Sequence, residues 1–375
     1  MHGKTNPIAE LKRLGQSVWL DQLDRAMIRS GRLAHYRDAG VSGVTANPTI
    51  FAKALEASDA YAGDVAKRLG RGEDPESMVW DLLIEDVQAA ADIFRPVFDR
   101  EHGGDGFVSI EVSPELAEDT EGTIAAARDL RRRCARPNVM VKIPATPAGL
   151  PAIQAMIAEG ANINVTLIFA VERYVKVVDA FLAGLEELSK RGGDLSRVRS
   201  VASFFVSRVD TKVDEQLARK IAHADGSRKA ELESLLGRAA IANSKLAYEM
   251  FTQLHAGPRW DSLRDSGASV QRCLWASTST KNPRYRDTMY VEELTGPATV
   301  NTMPEATFEA FRDHGRVALS LQRGVDGARH VLDVLAVQGI DVAAITQELE
   351  DEGVAGFAKS FRESIEHLGK VQSAR

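Results

Sequence analysis

One lysine stands where a lysine is costly. In NVMVKIPAT (138–146), Lys142 is flanked by Val139, Val141 and Ile143, and Pro144 follows shortly after. An ammonium group is strongly hydrated and is rarely buried without a partner or a purpose. Burial disfavours its charged form and can lower a lysine pKa by up to ~3–5 units. The neutral amine is a nucleophile for a carbonyl carbon and forms a Schiff base. Other short apolar runs carry residues suited to the same chemistry. Asp21 closes SVWLD and Glu111 sits in FVSIEV, two carboxylates able to move protons. Asn47 in GVTAN, Asn164 and Thr166 in INVTLI, and Ser203 in SVASFFV offer amides and hydroxyls. Ser277 closes RCLWAS, and Arg208 and Lys281 follow the later runs. Each has a plainer explanation. Lys142 would serve as half of a structural ion pair with Glu111 or Asp21. Asp21 would cap a helix, Asn47 before Pro48 would make a turn, and Asn164 and Thr166 would be satisfied core polar groups. Arg208 and Lys281 would be solvated. Their joint placement favours chemistry, because one structural polar layer needs no such mixture of types.

The elements that must position these residues are short β-rich runs alternating with helical stretches. The strands read as SVWLD (17–21), GVTAN (43–47), FVSIEV (107–112), VMVKI (139–143), INVTLI (163–168), SVASFFV (200–206) and RCLWAS (272–277). A weaker eighth lies near TMYVEEL (288–294). After the fifth, Val171, Tyr174, Val175, Val178, Phe181, Leu182 and Leu185 form a helical stripe. Lys176 falls off that stripe and is expected in solvent. The segment from Asp214 to His255 reads as long and helical. Alternation of strand and helix implies a parallel sheet, and eight repeats imply a closed (β/α)8 barrel of the TIM type. The chain, 1–375, reads as a single barrel domain, with additional C-terminal helices from about 305 to 375 packing on it. An open doubly wound sheet finds no GxGxxG or Walker loop to support it.

Strand side chains alternate faces. The outer face packs on helices and is apolar; the inner face can be polar. By parity Trp19 and Asp21, Thr45 and Asn47, Ser109 and Glu111, Met140 and Lys142, and Asn162, Asn164 and Thr166 point inward. Val165 and Leu167 point outward. Ser203 and Phe205 share one parity, and Cys273, Trp275 and Ser277 another, with Phe205 and Trp275 expected to keep the inner face dry. Polar residues thus gather at the C-terminal ends of the strands, where barrel enzymes assemble their sites.

Composition narrows the partners. Lys plus Arg number 47 and Asp plus Glu 53, a net charge of −6, which argues against a general nucleic-acid binder. No apolar run is long enough to span a membrane, and MHGKTNPIAELKRLG lacks a signal-peptide core. Cys134 and Cys273 form no CxxC pair, so the cytoplasm is the simplest expectation. The eight histidines form no HxH or HExxH pair, and no metal site is expected. Nothing in the sequence specifies an oligomeric state.

The chain resembles the transaldolases over nearly its whole length. GVTANPTIF (43–51), NVMVKIPAT (138–146) and INVTLIF (163–169) carry the resemblance most specifically. SVWLD, VSIEVSP, SFFVSR and WASTSTKNP (275–283) match more loosely. The resemblance implies a (β/α)8 barrel without a cofactor. It implies transfer of a dihydroxyacetone unit from sedoheptulose 7-phosphate to glyceraldehyde 3-phosphate in the pentose phosphate pathway, giving erythrose 4-phosphate and fructose 6-phosphate. Lys142 would be the Schiff-base lysine, Asp21 the acid/base at the C4 hydroxyl, and Glu111 with Thr166 the pair that handles protons through water. Asn47 and Asn164 would hold the hydroxyls of the dihydroxyacetone unit, and Ser203 would also contact substrate. Arg208, Ser277 and Lys281 would bind phosphate, although the loop with Lys281 departs from the shorter serine-plus-arginine form. Two other readings stay open: an aldolase that releases free dihydroxyacetone, and a non-catalytic phosphosugar-binding barrel.

Overall fold

The structure, a computed structural model, describes residues 6–373. The signal-peptide reading falls in part on residues 1–5, outside the described residues. Eight strands, β1 (Gln16–Leu20), β2 (Gly43–Val44), β3 (Val108–Glu111), β4 (Val139–Pro144), β5 (Ile163–Ile168), β6 (Ser200–Phe205), β7 (Arg272–Ala276) and β8 (Thr299–Met303), form a closed parallel barrel in sequence order. β8 closes on β1 over five register pairs, from Gln16↔Thr299 to Leu20↔Met303. The expected (β/α)8 architecture is therefore present. β4 runs out at Pro144, which has no N–H to give to a ladder. β2 opens on glycine for a steric reason: a Cβ at Gly43 would lie 2.6 Å from the Trp19 ring and 2.8 Å from the Phe107 carbonyl oxygen. Outward residues such as Val141, Ile143 and Val165 are buried under the surrounding helices.

Two expectations are corrected. The eighth strand is Thr299–Met303, not 288–294, where a short helix, Met289–Glu293, lies instead. The apolar run there mimics a strand, whereas TVNTM is diluted by Thr302, which faces the polar interior and meets Thr45. The stretch from Asp214 to His255 is helical, as read, and is carried by the end of Ser207–Ile221 and by Gly226–Ser234 and Ala239–Leu254. In β7, Cys273 and Trp275 face the helices and not the interior. Cys273 Sγ lies 3.4 Å from the hydroxyl of Tyr174, on the helix Val171–Lys190, and Trp275 packs edge-on against Phe204. Arg272 has the inward parity.

Arg272 builds a floor at the N-terminal end of the barrel. Its guanidinium donates to Ser17 Oγ and to the Thr299 carbonyl. Ser17 Oγ and Trp19 Nε1 donate in turn to the buried carboxylate of Asp105. Burial lowers the Arg272 pKa, and the Asp105 charge opposes that shift. Above the floor, Asn164 bridges Ser109 and Ser203 across three strands. After β8 come the helices Glu305–His314, Val325–Val337 and Val342–Ser373. The last reaches the C-terminal end of the barrel. It pairs Glu350 with Arg173, Ser360 with Thr49, and Glu348 and Glu352 with Lys212. Among the described residues no helix is long and apolar enough to cross a membrane.

Candidate active site

Lys142 lies near the C-terminal end of β4, in register with Glu111 of β3 and Asn164 of β5. Its side chain points into the barrel and is 4% exposed. Nζ lies 2.9 Å from Glu111 Oε2, in an ion pair without the alignment of a hydrogen bond, and donates to the Ala46 carbonyl at 3.2 Å. The ion pair with Glu111 that the plainer reading anticipated therefore exists, and it lies in the same polar cluster. Burial raises the Glu111 pKa, against the lowering effect of the Lys142 charge. Thr166, two residues beyond Asn164, has a buried Oγ1 with no hydrogen-bond partner among the described residues.

Asp21 follows β1 and accepts a hydrogen bond from Thr45 Oγ1 at 2.8 Å; Thr45 Oγ1 also meets Thr302 Oγ1 at 2.7 Å. Burial raises the Asp21 pKa. The Thr45 hydrogen bond and the charges of Lys142, Arg208 and Lys281 pull it back. Asp21 is thus held within the field of all three cations. Lys176, the comparison lysine, is exposed as expected.

The amides behave differently from one another. Asn164 is engaged on both sides, accepting from Ser203 Oγ at 2.7 Å and donating to Ser109 Oγ at 3.0 Å. Asn47 caps the helix Pro48–Ala57, its Oδ1 accepting from Ile50 N at 3.0 Å, as the turn reading expected. It directly follows Ala46, whose carbonyl meets Lys142. Asn162, expected to point inward, instead bridges the starts of the neighbouring strands, donating to the Pro137 carbonyl and accepting from Arg199 N.

Arg208 opens the helix Ser207–Ile221 after β6. Its guanidinium lies 5.4 Å from the Phe205 ring centroid and has no ion pair or hydrogen bond among the described residues. Burial lowers its pKa, opposed by Asp21 and Glu352. Ser277 adopts a left-handed φ of 57°, which breaks the strand alternation and brings its Oγ to 2.9 Å from Ser207 Oγ, beside Arg208. Leu167, expected to face outward, likewise has φ 58°, with a register shift between Val165 and Ile168, and meets Gly353 of the C-terminal helix. Such backbone in non-glycine residues is uncommon and clusters at functional sites. Lys281 is exposed, donates to Ser279 Oγ at 2.7 Å, and acts on Asp21 through its charge. Phe205, with Phe169 at 5.0 Å, supplies the dry wall; Trp275 does not.

Thr45, hydrogen-bonded to Asp21, and Ser207, beside Ser277, also belong to this cluster, and neither stands out in the sequence. Thr45 shares the inward parity of Asn47 but carries no chemistry that marks it out, and Ser207 is overshadowed by the neighbouring Arg208. A cleft of about 920 Å³ at the N-terminal rim, lined by Arg131, Arg136, Asn162 and Arg199 among others, contains none of the candidate catalytic or substrate-binding residues. Among the described residues no group of three His, Cys, Asp or Glu side chains is arranged to hold a metal ion. Cys134 and Cys273 are both buried and free.

Residues 18–368 match the family model described as Transaldolase/Fructose-6-phosphate aldolase. The chain is 48% identical to a transaldolase of Thermobifida fusca, over 98% of this chain and 99% of that protein. It is 50% identical to one of Acidothermus cellulolyticus, over 96% and 95%, and 47% identical to one of Mycolicibacterium paratuberculosis, over 97% of each.

Proposed function

The chain belongs to the transaldolase and fructose-6-phosphate aldolase family, and we propose that it is a transaldolase working through a Schiff base on Lys142. The observation that carries this reading is a buried lysine inside a closed barrel, paired with Glu111 and close enough to Asp21 to alter its ionisation. The Lys142 amine attacks C2 of a ketose phosphate. Glu111 and the Thr166 hydroxyl, which has no partner among the described residues, hold the water through which protons move as the carbinolamine loses water. Asp21, as a carboxylate, takes the C4 hydroxyl proton. The C3–C4 bond breaks, its electrons pass to the protonated imine, and the aldose leaves. The enamine then attacks the aldehyde carbon of an acceptor aldose, Asp21 returns the proton, and hydrolysis frees the new ketose. Asn47, Asn164 and Ser203 hold the dihydroxyacetone hydroxyls. Arg208, Ser277 and Lys281 hold the phosphate, for which a guanidinium fork is well shaped. The substrates are phosphosugars of the pentose phosphate pathway: sedoheptulose 7-phosphate and glyceraldehyde 3-phosphate give erythrose 4-phosphate and fructose 6-phosphate.

Incubation with fructose 6-phosphate and borohydride tests this. A reduced sugar adduct is expected on Lys142 by peptide mass spectrometry, and Lys142→Ala should abolish turnover. An adduct elsewhere, or none in active enzyme, refutes the reading. Adding or omitting erythrose 4-phosphate separates transfer from release of free dihydroxyacetone, the family's other activity.

A further inference from the structure

We propose that Phe357, on the C-terminal helix Val342–Ser373, is a specificity-determining residue: its ring shields the waiting enamine on Lys142 from bulk water and so favours transfer over release of free dihydroxyacetone. The inference rests on the Schiff-base reading of Lys142.

The ring centroid lies 5.9 Å from Lys142 Nζ, and Phe357 is 4% exposed. Lys142 stands at the mouth of the barrel, the end at which a side chain would ordinarily meet solvent. The helix approaches closely because position 353 is glycine. A Cβ there would lie 2.8 Å from Leu167 Cδ2, on the left-handed residue that follows Thr166. Glu350, Gly353, Phe357 and Ser360 are spaced to share one helical face. Glu350 pairs with Arg173 at 3.1 Å and Ser360 Oγ meets Thr49 Oγ1 at 2.9 Å, so anchors on both sides of Phe357 fix where its ring enters.

The enamine has two fates. In transfer, C3 forms a bond to the acceptor's aldehyde carbon, and the aldehyde oxygen takes the proton that Asp21 holds. In the leak, C3 takes a proton from solvent water instead. Water then adds to C2, the C2–N bond breaks, and free dihydroxyacetone leaves with the Lys142 amine restored. Release of the finished ketose also needs a water at C2, and Glu111 with Thr166 serves it from the polar side of the site. Only the leak needs a proton donor at C3 while no acceptor is bound. An aromatic ring has no proton to give to C3 and offers water only a weak acceptor, so it keeps that region dry.

The test uses the full chain with fructose 6-phosphate. Free dihydroxyacetone is measured without acceptor, and transfer is measured with erythrose 4-phosphate, in the parent, Phe357→Ala and Phe357→Leu. Circular dichroism and thermal melting confirm folding. The ratio of release to transfer should rise at least roughly tenfold in the alanine variant, a change in relative barrier of about 1.4 kcal/mol, and by less in the leucine variant. Borohydride trapping is run on each protein. Trapping at Lys142 with an unchanged ratio in the folded variants overturns the role of Phe357 and leaves the lysine mechanism intact. Absence of a Lys142 adduct in the parent overturns the mechanism beneath it. Leucine occupies much of the same space, so Phe357→Leu decides the question if the alanine variant does not fold.

Discussion

Arg208→Ala should cut kcat/KM for phosphorylated donors by roughly 10- to 150-fold. The magnitude follows from the state of the guanidinium. It is stacked on Phe205, its pKa is lowered by burial, and none of its N–H groups is engaged by the described residues. The desolvation cost is thus already met in the folded protein, and an incoming phosphate gains the hydrogen bonds without displacing a protein partner. A hydrogen bond to a charged group contributes about 1.5–3 kcal/mol, and each 1.36 kcal/mol is about a factor of ten in rate. Free dihydroxyacetone, without a phosphate, should lose little. Arg208→Lys should recover part of the activity, since lysine supplies a point charge without the fork. A second readout comes from Asp21, whose pKa the Arg208 charge pulls down against burial. Removing that charge should move the acid limb of the kcat/KM profile to higher pH, because the role proposed for Asp21 requires its carboxylate form. The assay is steady-state kinetics on both donor types across pH. Equal loss on phosphorylated and unphosphorylated donors, with an unmoved acid limb, would show that Arg208 supports the fold and does not grip phosphate.

Asp21→Asn should still trap an adduct at Lys142 while kcat falls roughly 10²–10⁴-fold, the usual contribution of a general acid–base group; unchanged kcat would remove Asp21 from the mechanism. Activity should survive exhaustive chelation, since in the proposed mechanism an imine on Lys142 is the electron sink; a loss restored by a divalent metal would point to other chemistry. Asp210 is pushed up to about 7 by burial, in spite of hydrogen bonds from Ala240 N and the Tyr290 hydroxyl. A raised folded-state pKa stabilises fully below the unfolded value of 3.8 and is lost as pH rises through about 7. Asp210→Asn should therefore melt higher than the parent at pH 8 and gain little at pH 4; a difference independent of pH would refute this.

The sequence made the early strands legible because their inner faces are polar and their outer faces apolar. Asp21, Glu111, Lys142 and Thr166 could be aligned by parity alone, and the register Glu111↔Lys142↔Asn164 agrees with that alignment. In β7 the contrast vanishes: Cys273 and Trp275 on one face, Leu274 and Ala276 on the other, are all apolar, and only the pairing with neighbouring strands decides which is inside. Leu167 and Ser277 defeat parity for a different reason, since a left-handed residue resets the alternation and nothing in a leucine or serine announces it. The proximity of Phe357 to Lys142 spans more than two hundred residues of chain. The helical stripe that contains it reads as ordinary core.

The floor of Arg272, Ser17, Trp19 and Asp105 has a kinetic consequence. With that end of the barrel plugged, one opening serves both entry and exit. On the proposed Schiff-base mechanism the first aldose must diffuse out before the second can occupy its place, so the enzyme would cycle between a free and a three-carbon-loaded form. Initial-rate plots at varied donor and acceptor should then be parallel, and the departing aldose should compete with the arriving one for the loaded form.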